Sequence, residues 1–130
     1  MKSRVTAPGG LEAARVGAER GHDVTVIEAA AKAGGQILLT AQSPMRTEML
    51  AIAEWRLAQC EARGVKFQYN TWADADSVQA LNPDIVIVAT GGLPHTGSLT
   101  VGADLVVTSW DILSGDVKPG SNVRSEEHTS

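Results

Sequence analysis

Apolar residues along this chain recur either at helical spacing or in short unbroken runs, and the two patterns alternate. Leu11, Ala14 and Ala18 share one helical face, which predicts a helix from Pro8 to about Arg20. Pro8 suits its first turn and Gly21 its stop. His22 and Asp23 then form a tight return into Val24–Ile27, a continuous apolar run of the kind buried in parallel sheets. A loop of small residues follows from Ala29 to Gly35. Ser43-Pro44 reads as an N-cap with proline at the first helical position. The helix beyond sets Met49, Ile52, Ala53, Leu57 and Cys60 on one side, and Gly64 ends it. Val65–Tyr69 alternates like a half-exposed strand, and Asp74–Leu81 reads as a short polar helix closed by Asn82-Pro83. Asp84–Ala89 predicts a second buried strand, followed at once by Thr90-Gly91-Gly92. Asp104–Val107 predicts a short strand, Ser109 caps a helical turn through Leu113, and Gly115–Gly120 reads as a linker.

Helices interleaved with apolar strands predict an α/β fold with a parallel sheet. A length of 130 residues with 43% hydrophobic content fits one globular domain. A net charge of −4 offers no basic footprint for nucleic acid or an anionic membrane. The longest apolar run, Ile85–Ala89, is far short of a membrane span, and no secretory signal is read at the start. Cys60 is the single cysteine, which excludes a disulfide framework and a cysteine-based metal cluster. These features predict a cytoplasmic domain. No His/Asp/Glu cluster has metal-ligand spacing, and no residue is assigned a catalytic role. His22 reads as a turn residue, His95 as loop surface, and Trp55 and Trp72 as packing residues.

Three features converge on a dinucleotide. The helix starting at Pro8-Gly9-Gly10 presents free backbone N–H groups and a dipole suited to a pyrophosphate. Glu28 ends the Val24–Ile27 strand, eighteen residues beyond Gly10, where a carboxylate accepts hydrogen bonds from ribose hydroxyls. Gly34-Gly35-Gln36 and Ala89-Thr90-Gly91-Gly92 each follow a strand and bring backbone close to a ligand. Each piece alone also fits a solvated strand end or a plain turn; their order together is more specific.

The motifs Pro8-Gly9-Gly10-Leu11-Glu12-Ala13-Ala14, the Glu28 strand end, Gly34-Gly35-Gln36, Asn82-Pro83-Asp84, Ala89-Thr90-Gly91-Gly92 and Trp110-Asp111-Ile112-Leu113-Ser114-Gly115 resemble those of the C-terminal flavoprotein module of NADH:flavin oxidoreductases. That group includes 2,4-dienoyl-CoA reductase, trimethylamine and dimethylamine dehydrogenases, and N-methylproline demethylases. The resemblance covers about residues 5–123 and is nearest to the N-methyl amino acid demethylase branch. It implies a Rossmann-like, three-layer FAD/NAD(P)-binding fold with a truncated first strand. Residues 1–115 would be a partial FAD-binding domain and 116–123 the passage into an NAD(P)-binding domain. An N-terminal β/α barrel with FMN and substrate, the NAD(P)H-binding domain and an iron–sulfur cluster would belong to missing parts of the parent.

Carried over by position, Pro8, Gly9 and Gly10 would face the pyrophosphate and Glu28 would hold the ribose. Gly35 and Gln36 would line the flavin side, and Trp72 would meet adenine through its backbone. Thr90 and Gly91 would close over the cofactor, with Ala29 and Ala89 also placed against it. The cofactor implied is FAD, or ADP in its place. Two other readings stand beside this one: a non-catalytic module holding ADP as structure, and an NAD-dependent dehydrogenase domain.

The chain departs from that pattern at its start. Val5 and Ala7 stand where the phosphate turn carries glycines, and Met1-Lys2-Ser3-Arg4 replaces most of an apolar strand. A β-branched residue at positive φ is strained, and a methyl at position 7 intrudes where backbone should meet phosphate. Both neighbours of that strand are expected to pair poorly. At the other end, Arg124–Ser130 resembles the translation of a sequencing adapter and reads as a non-native tail. The chain is therefore expected to be a fragment, inactive by itself.

Overall fold

Helix α1 runs Pro8–Glu19 in the computed structural model, which describes residues 7–95 and 101–125. These residues fall into two compact units, one ending at Gly92 and the other beginning at Leu93. Pro8 occupies the first turn of α1, as its fixed φ and missing N–H allow. The helix stops at Gly21, which adopts φ 88°. The N–H of Gly21 bonds the Ala18 carbonyl, and that of His22 bonds Gly17, the paired bonds of a Schellman ending. Strand β1, Thr25–Ile27, follows directly.

Helix α3, Leu50–Ala62, ends the same way: Gly64 at φ 74° bonds Glu61, and Val65 bonds Cys60. That ending delivers the chain into strand β2, Lys66–Gln68. The two strands pair in parallel, with Thr25 opposite Lys66 and Ile27 opposite Gln68. Leu11 and Ala14 of α1 and Cys60 of α3 form the core with Ala33 and Val65. Val24, Val26 and Phe67 pack against it from the sheet side. Outside the core, Glu12 accepts from Arg15 at 2.7 Å and from Arg56 at 3.0 Å, which ties the surfaces of α1 and α3 together. Arg15 also lies 5.7 Å above the Trp55 ring.

Several elements differ from the pattern reading. Ser43-Pro44 does not start the long helix. The Arg46 N–H bonds the Ser43 carbonyl at 2.9 Å, so Pro44 is the second residue of a tight turn, an equally good setting for its fixed φ. A 3-10 turn, Thr47–Met49, then leads into α3. A short helix α2, Gln36–Thr40, follows the small-residue loop, in a stretch to which the pattern assigns no element.

Asp84–Ala89 forms no strand, and Ile85, Val86, Ile87 and Val88 are exposed. An apolar run is buried as a strand only beside a ladder partner, and none of the described residues supplies one. The backbone bond that reaches this segment among the described residues runs from the Ala7 N–H to the Ala89 carbonyl, 3.2 Å. Residues 1–6, where the truncated first strand and the strained Val5 were expected, lie outside the described residues, as do 126–130 of the adapter-like tail.

Helix α4, Ala75–Ala80, matches the short polar helix, and Asn82 closes it at φ 48°. In the second unit, Asp104–Val107 forms no strand, although Val106 is extended. Local bonds from Leu105 to Gly102 and from Val106 to Ala103 engage the donors of a 3-10 turn, Ala103–Leu105. Helix α5, Ser109–Leu113, is capped one residue earlier than expected, by Thr108 paired with Asp111.

Leu11 is fully buried between α1 and α3. Truncating Leu11→Ala is expected to cost about 2–5 kcal/mol of unfolding free energy in a denaturant titration. A change within about 0.5 kcal/mol would show that this contact is not the core.

Candidate functional site

Three turns come together at one end of the first unit. The first is the start of α1, where Ala7 is the N-cap in extended geometry and offers no side-chain cap. No acidic residue occupies the first turn, so the helix dipole there is not offset from within the helix. Gly9 is exposed, and a Cβ built on it would meet nothing within 4 Å. Gly10 is half-buried and spends its N–H on the Ala7 carbonyl at 2.8 Å.

The second turn is Gly34-Gly35-Gln36. Gly34 has φ 132°, and a Cβ there would lie 3.0 Å from Leu38 and 3.3 Å from Ala53. Only glycine satisfies both the conformation and the space. Gly35, at φ 58°, is the N-cap of α2, so Gln36 is the first residue of that helix. The third turn is Ala89–Gly92, with Gly91 at φ 68°. Gln36 Nε2 donates to the Gly92 carbonyl at 3.0 Å, and a Cβ on Gly91 would lie 3.7 Å from both Gln36 and Ala7. The two glycine motifs and the start of α1 therefore meet.

Beside them lies a cleft of about 430 Å³, on the carboxyl side of β1. Ile27, Ala29, Trp72, Val78, Val86 and Val88 give it apolar walls, and Asp74, Gln79, Ala89 and Thr90 add polar groups. Ala89 joins the cleft to the start of α1, because its carbonyl accepts from Ala7. Of the residues expected at the cofactor, Ala29, Trp72, Ala89 and Thr90 line the cleft. Pro8, Gly9, Gly10, Gly35, Gln36 and Gly91 surround the adjoining convergence of turns.

Glu28 stands apart. It is fully buried and is not a cleft-lining residue. Its N–H bonds the Gln68 carbonyl at 2.9 Å, its carbonyl accepts from Thr71 at 3.0 Å, and its carboxylate accepts from the Ala30 N–H at 2.7 Å. The carboxylate thus organises the loop that carries Ala29. Burial of a charged group is tolerated because it is hydrogen-bonded.

Sequence reasoning missed Ile27, Asp74, Val78, Gln79, Val86 and Val88 as cleft residues. For Asp74 a signal was present: Asp-x-x-Ser before a short helix is a capping pattern. Asp74 accepts from the Ser77 N–H at 2.8 Å while Ser77 Oγ accepts from the Asp74 N–H at 3.0 Å. The Ser77 hydroxyl and N–H hold the Asp74 carboxyl below the usual carboxylate range. Burial pushes the Cys60 thiol and the Tyr69 hydroxyl up, so both stay protonated at neutral pH. Among the described residues there is no group of three or more His, Cys, Asp or Glu able to hold a metal ion, and no helix long and apolar enough to cross a membrane.

Comparison with known proteins places this geometry in context. No protein-family model matches the chain. It is 63% identical over 118 residues to the "Probable N-methylproline demethylase" of Rhizobium meliloti, a match covering 91% of this chain and 17% of that protein. It is 47% identical over 123 residues to the N,N-dimethylglycine/sarcosine dehydrogenase of Chromohalobacter salexigens, covering 89% and 18% respectively. A solved 2-naphthoyl-CoA reductase superposes with a TM-score of 0.81 at 38% identity, over 92% of this chain and 19% of that one. The chain belongs to the NADH:flavin oxidoreductase family, as a segment of it. It spans less than a fifth of the length of these relatives. The superposition carries its α/β architecture and small parallel sheet over to the family fold.

Glu28→Ala removes the acceptor of the part-buried Ala30 N–H and is expected to destabilise the first unit by about 1–3 kcal/mol in denaturant unfolding. No change would mean that the loop does not depend on the carboxylate. Asp74 gives the opposite pH signature to a basic group. Its folded pKa is depressed, so its contribution to α4 is complete above the ordinary carboxylate range and is lost as pH falls through the folded value. The Ser77 amide NMR signal is expected to follow that titration, and Asp74→Asn, which can still cap, should abolish the pH dependence.

Proposed function

We propose that this segment binds the ADP half of FAD within a flavin-dependent oxidoreductase that demethylates N-methyl amines or amino acids, or reduces enoyl groups. The observation that carries the reading is the meeting of the α1 start, Gly34-Gly35-Gln36 and Ala89–Gly92 beside an apolar cleft. A cleft of about 430 Å³ falls in the size range of small-ligand sites. It lies beyond the carboxyl end of a parallel strand, the usual ligand position in open α/β sheets. The names of the matched relatives, a demethylase, a dehydrogenase and a reductase, support the same chemistry.

In this proposal the N–H groups at the start of α1 and the exposed Gly9 receive the pyrophosphate. The apolar walls around Trp72 take the adenine, which meets the backbone there. Glu28 is fully buried behind the cleft wall, so its carboxylate reaches the ribose hydroxyls only when the Ala29–Ala30 loop opens; the several acceptor sites of a carboxylate let it keep the bond from Ala30 as it does so. Gly35 and Gln36 approach from the flavin side, and Ala89, Thr90 and Gly91 cover the cofactor. FAD, when bound, supplies the electron-transfer chemistry; the segment positions it and contributes no catalytic residue. Residues 1–115 form this partial FAD domain, and 116–123 lead toward an NAD(P)-binding domain. FMN, NAD(P)H and any iron–sulfur cluster belong to other parts of the parent.

Fluorescence titration with FAD, ADP and NADH tests the reading on the chain and on a variant carrying Val5→Gly and Ala7→Gly. Saturable binding of FAD and ADP is expected, tighter in the double variant because the phosphate turn regains its glycines. Saturation by NADH with none by FAD or ADP would favour an NAD-dependent dehydrogenase domain. No saturation by any of the three overturns the nucleotide reading.

A further inference from the structure

The Gln36 side chain spans a gap of 56 residues in sequence to reach the Gly92 carbonyl, with Nε2 donating at 3.0 Å. Its own backbone is well placed for this. Gly34 and Gly35 set the entry to α2, and Leu38 and Ala53 leave no room for a side chain at Gly34. The partner segment is the reverse. Among the described residues Ile85–Val88 is exposed and has no ladder partner, so no strand pairing described there stiffens the Ala89–Gly92 turn. Among the described residues, two long-range bonds tether that turn to the start of α1 and to α2: the Ala7 N–H to the Ala89 carbonyl, and Gln36 to Gly92. The Gly92 carbonyl can only accept, so the contact requires a donor at the end of a side chain of this length.

We propose that Gln36 is a positioning residue: its amide fixes the Gly91–Gly92 turn beside the start of α1 and thereby sets nucleotide affinity. The affinity part rests on the function proposed above. Glu at this position keeps the length and removes the donor, so its carboxylate repels the Gly92 carbonyl. Protonating that carboxylate restores an O–H donor.

The test combines hydrogen–deuterium exchange, read on peptides covering residues 84–92, with ADP titration of the same chains. Gln36→Glu and Gln36→Ala are both expected to exchange faster there, with helix content by circular dichroism unchanged. ADP binding should weaken roughly five- to tenfold, the loss of one hydrogen bond. Lowering the pH to about 4, near the ordinary glutamate pKa, should slow exchange again in Gln36→Glu, after correction for intrinsic rates, but not in Gln36→Ala. A purely structural side chain would show no such rescue. Unchanged exchange at 84–92 overturns the proposal, as does faster exchange without loss of affinity or without acid rescue in Gln36→Glu. If the unaltered chain binds no ADP, the function proposed above fails; exchange and its acid rescue then decide the positioning role by themselves.

Discussion

A buried carboxylate organises the working end of this chain. Glu28 sits where β1 ends, and all of it is shielded from solvent. A charge in that position is stable only with hydrogen bonds in place of water. The Ala30 N–H supplies one to its side chain, while its backbone engages Gln68 on one side and Thr71 on the other. The loops after β1 and β2 are thereby held side by side. Ala29 and Trp72, which line the cleft, lie on those two loops. The same residue closes the small sheet and shapes the site beside it.

The scaffold below follows from two helices that end in the same way. Glycine at positive φ after α1 and after α3 turns each helix directly into a strand. Both strands then emerge in the same direction, as a parallel pair requires. Leu11 and Cys60 meet between the helices, and the Cys60 thiol donates to the Leu11 carbonyl at 3.4 Å. Charged contacts of Glu12 with Arg15 and Arg56 are only part-buried at the surface and add little to stability compared with that apolar contact.

Where the chain reading and the structure part, the cause is a partner distant in sequence. The helix stops at Gly21 and Gly64 were legible because a Schellman ending is local chemistry. The glycine motifs were legible as close-approach turns for the same reason. Asp84–Ala89 was misread because apolar composition reports a preference for burial, whereas a strand also needs a neighbouring ladder. Ser43-Pro44 was misread because proline at the start of a helix and proline in a tight turn share one φ. Glu28 was correctly placed at a strand end, yet its burial and its bond to Ala30 depend on loops that the pattern does not describe.

By itself the sequence determined the alternation of helix and strand, the two glycine stops, the helix-starting proline and the order of motifs that marks the NADH:flavin oxidoreductase family. Those are properties of residues within a few positions of one another. Tertiary structure alone decided which turns meet, that Gln36 reaches Gly92, that Glu28 faces inward, and that Ile85–Val88 stays exposed. Each of these depends on contacts between residues tens of positions apart, and local periodicity carries no record of them.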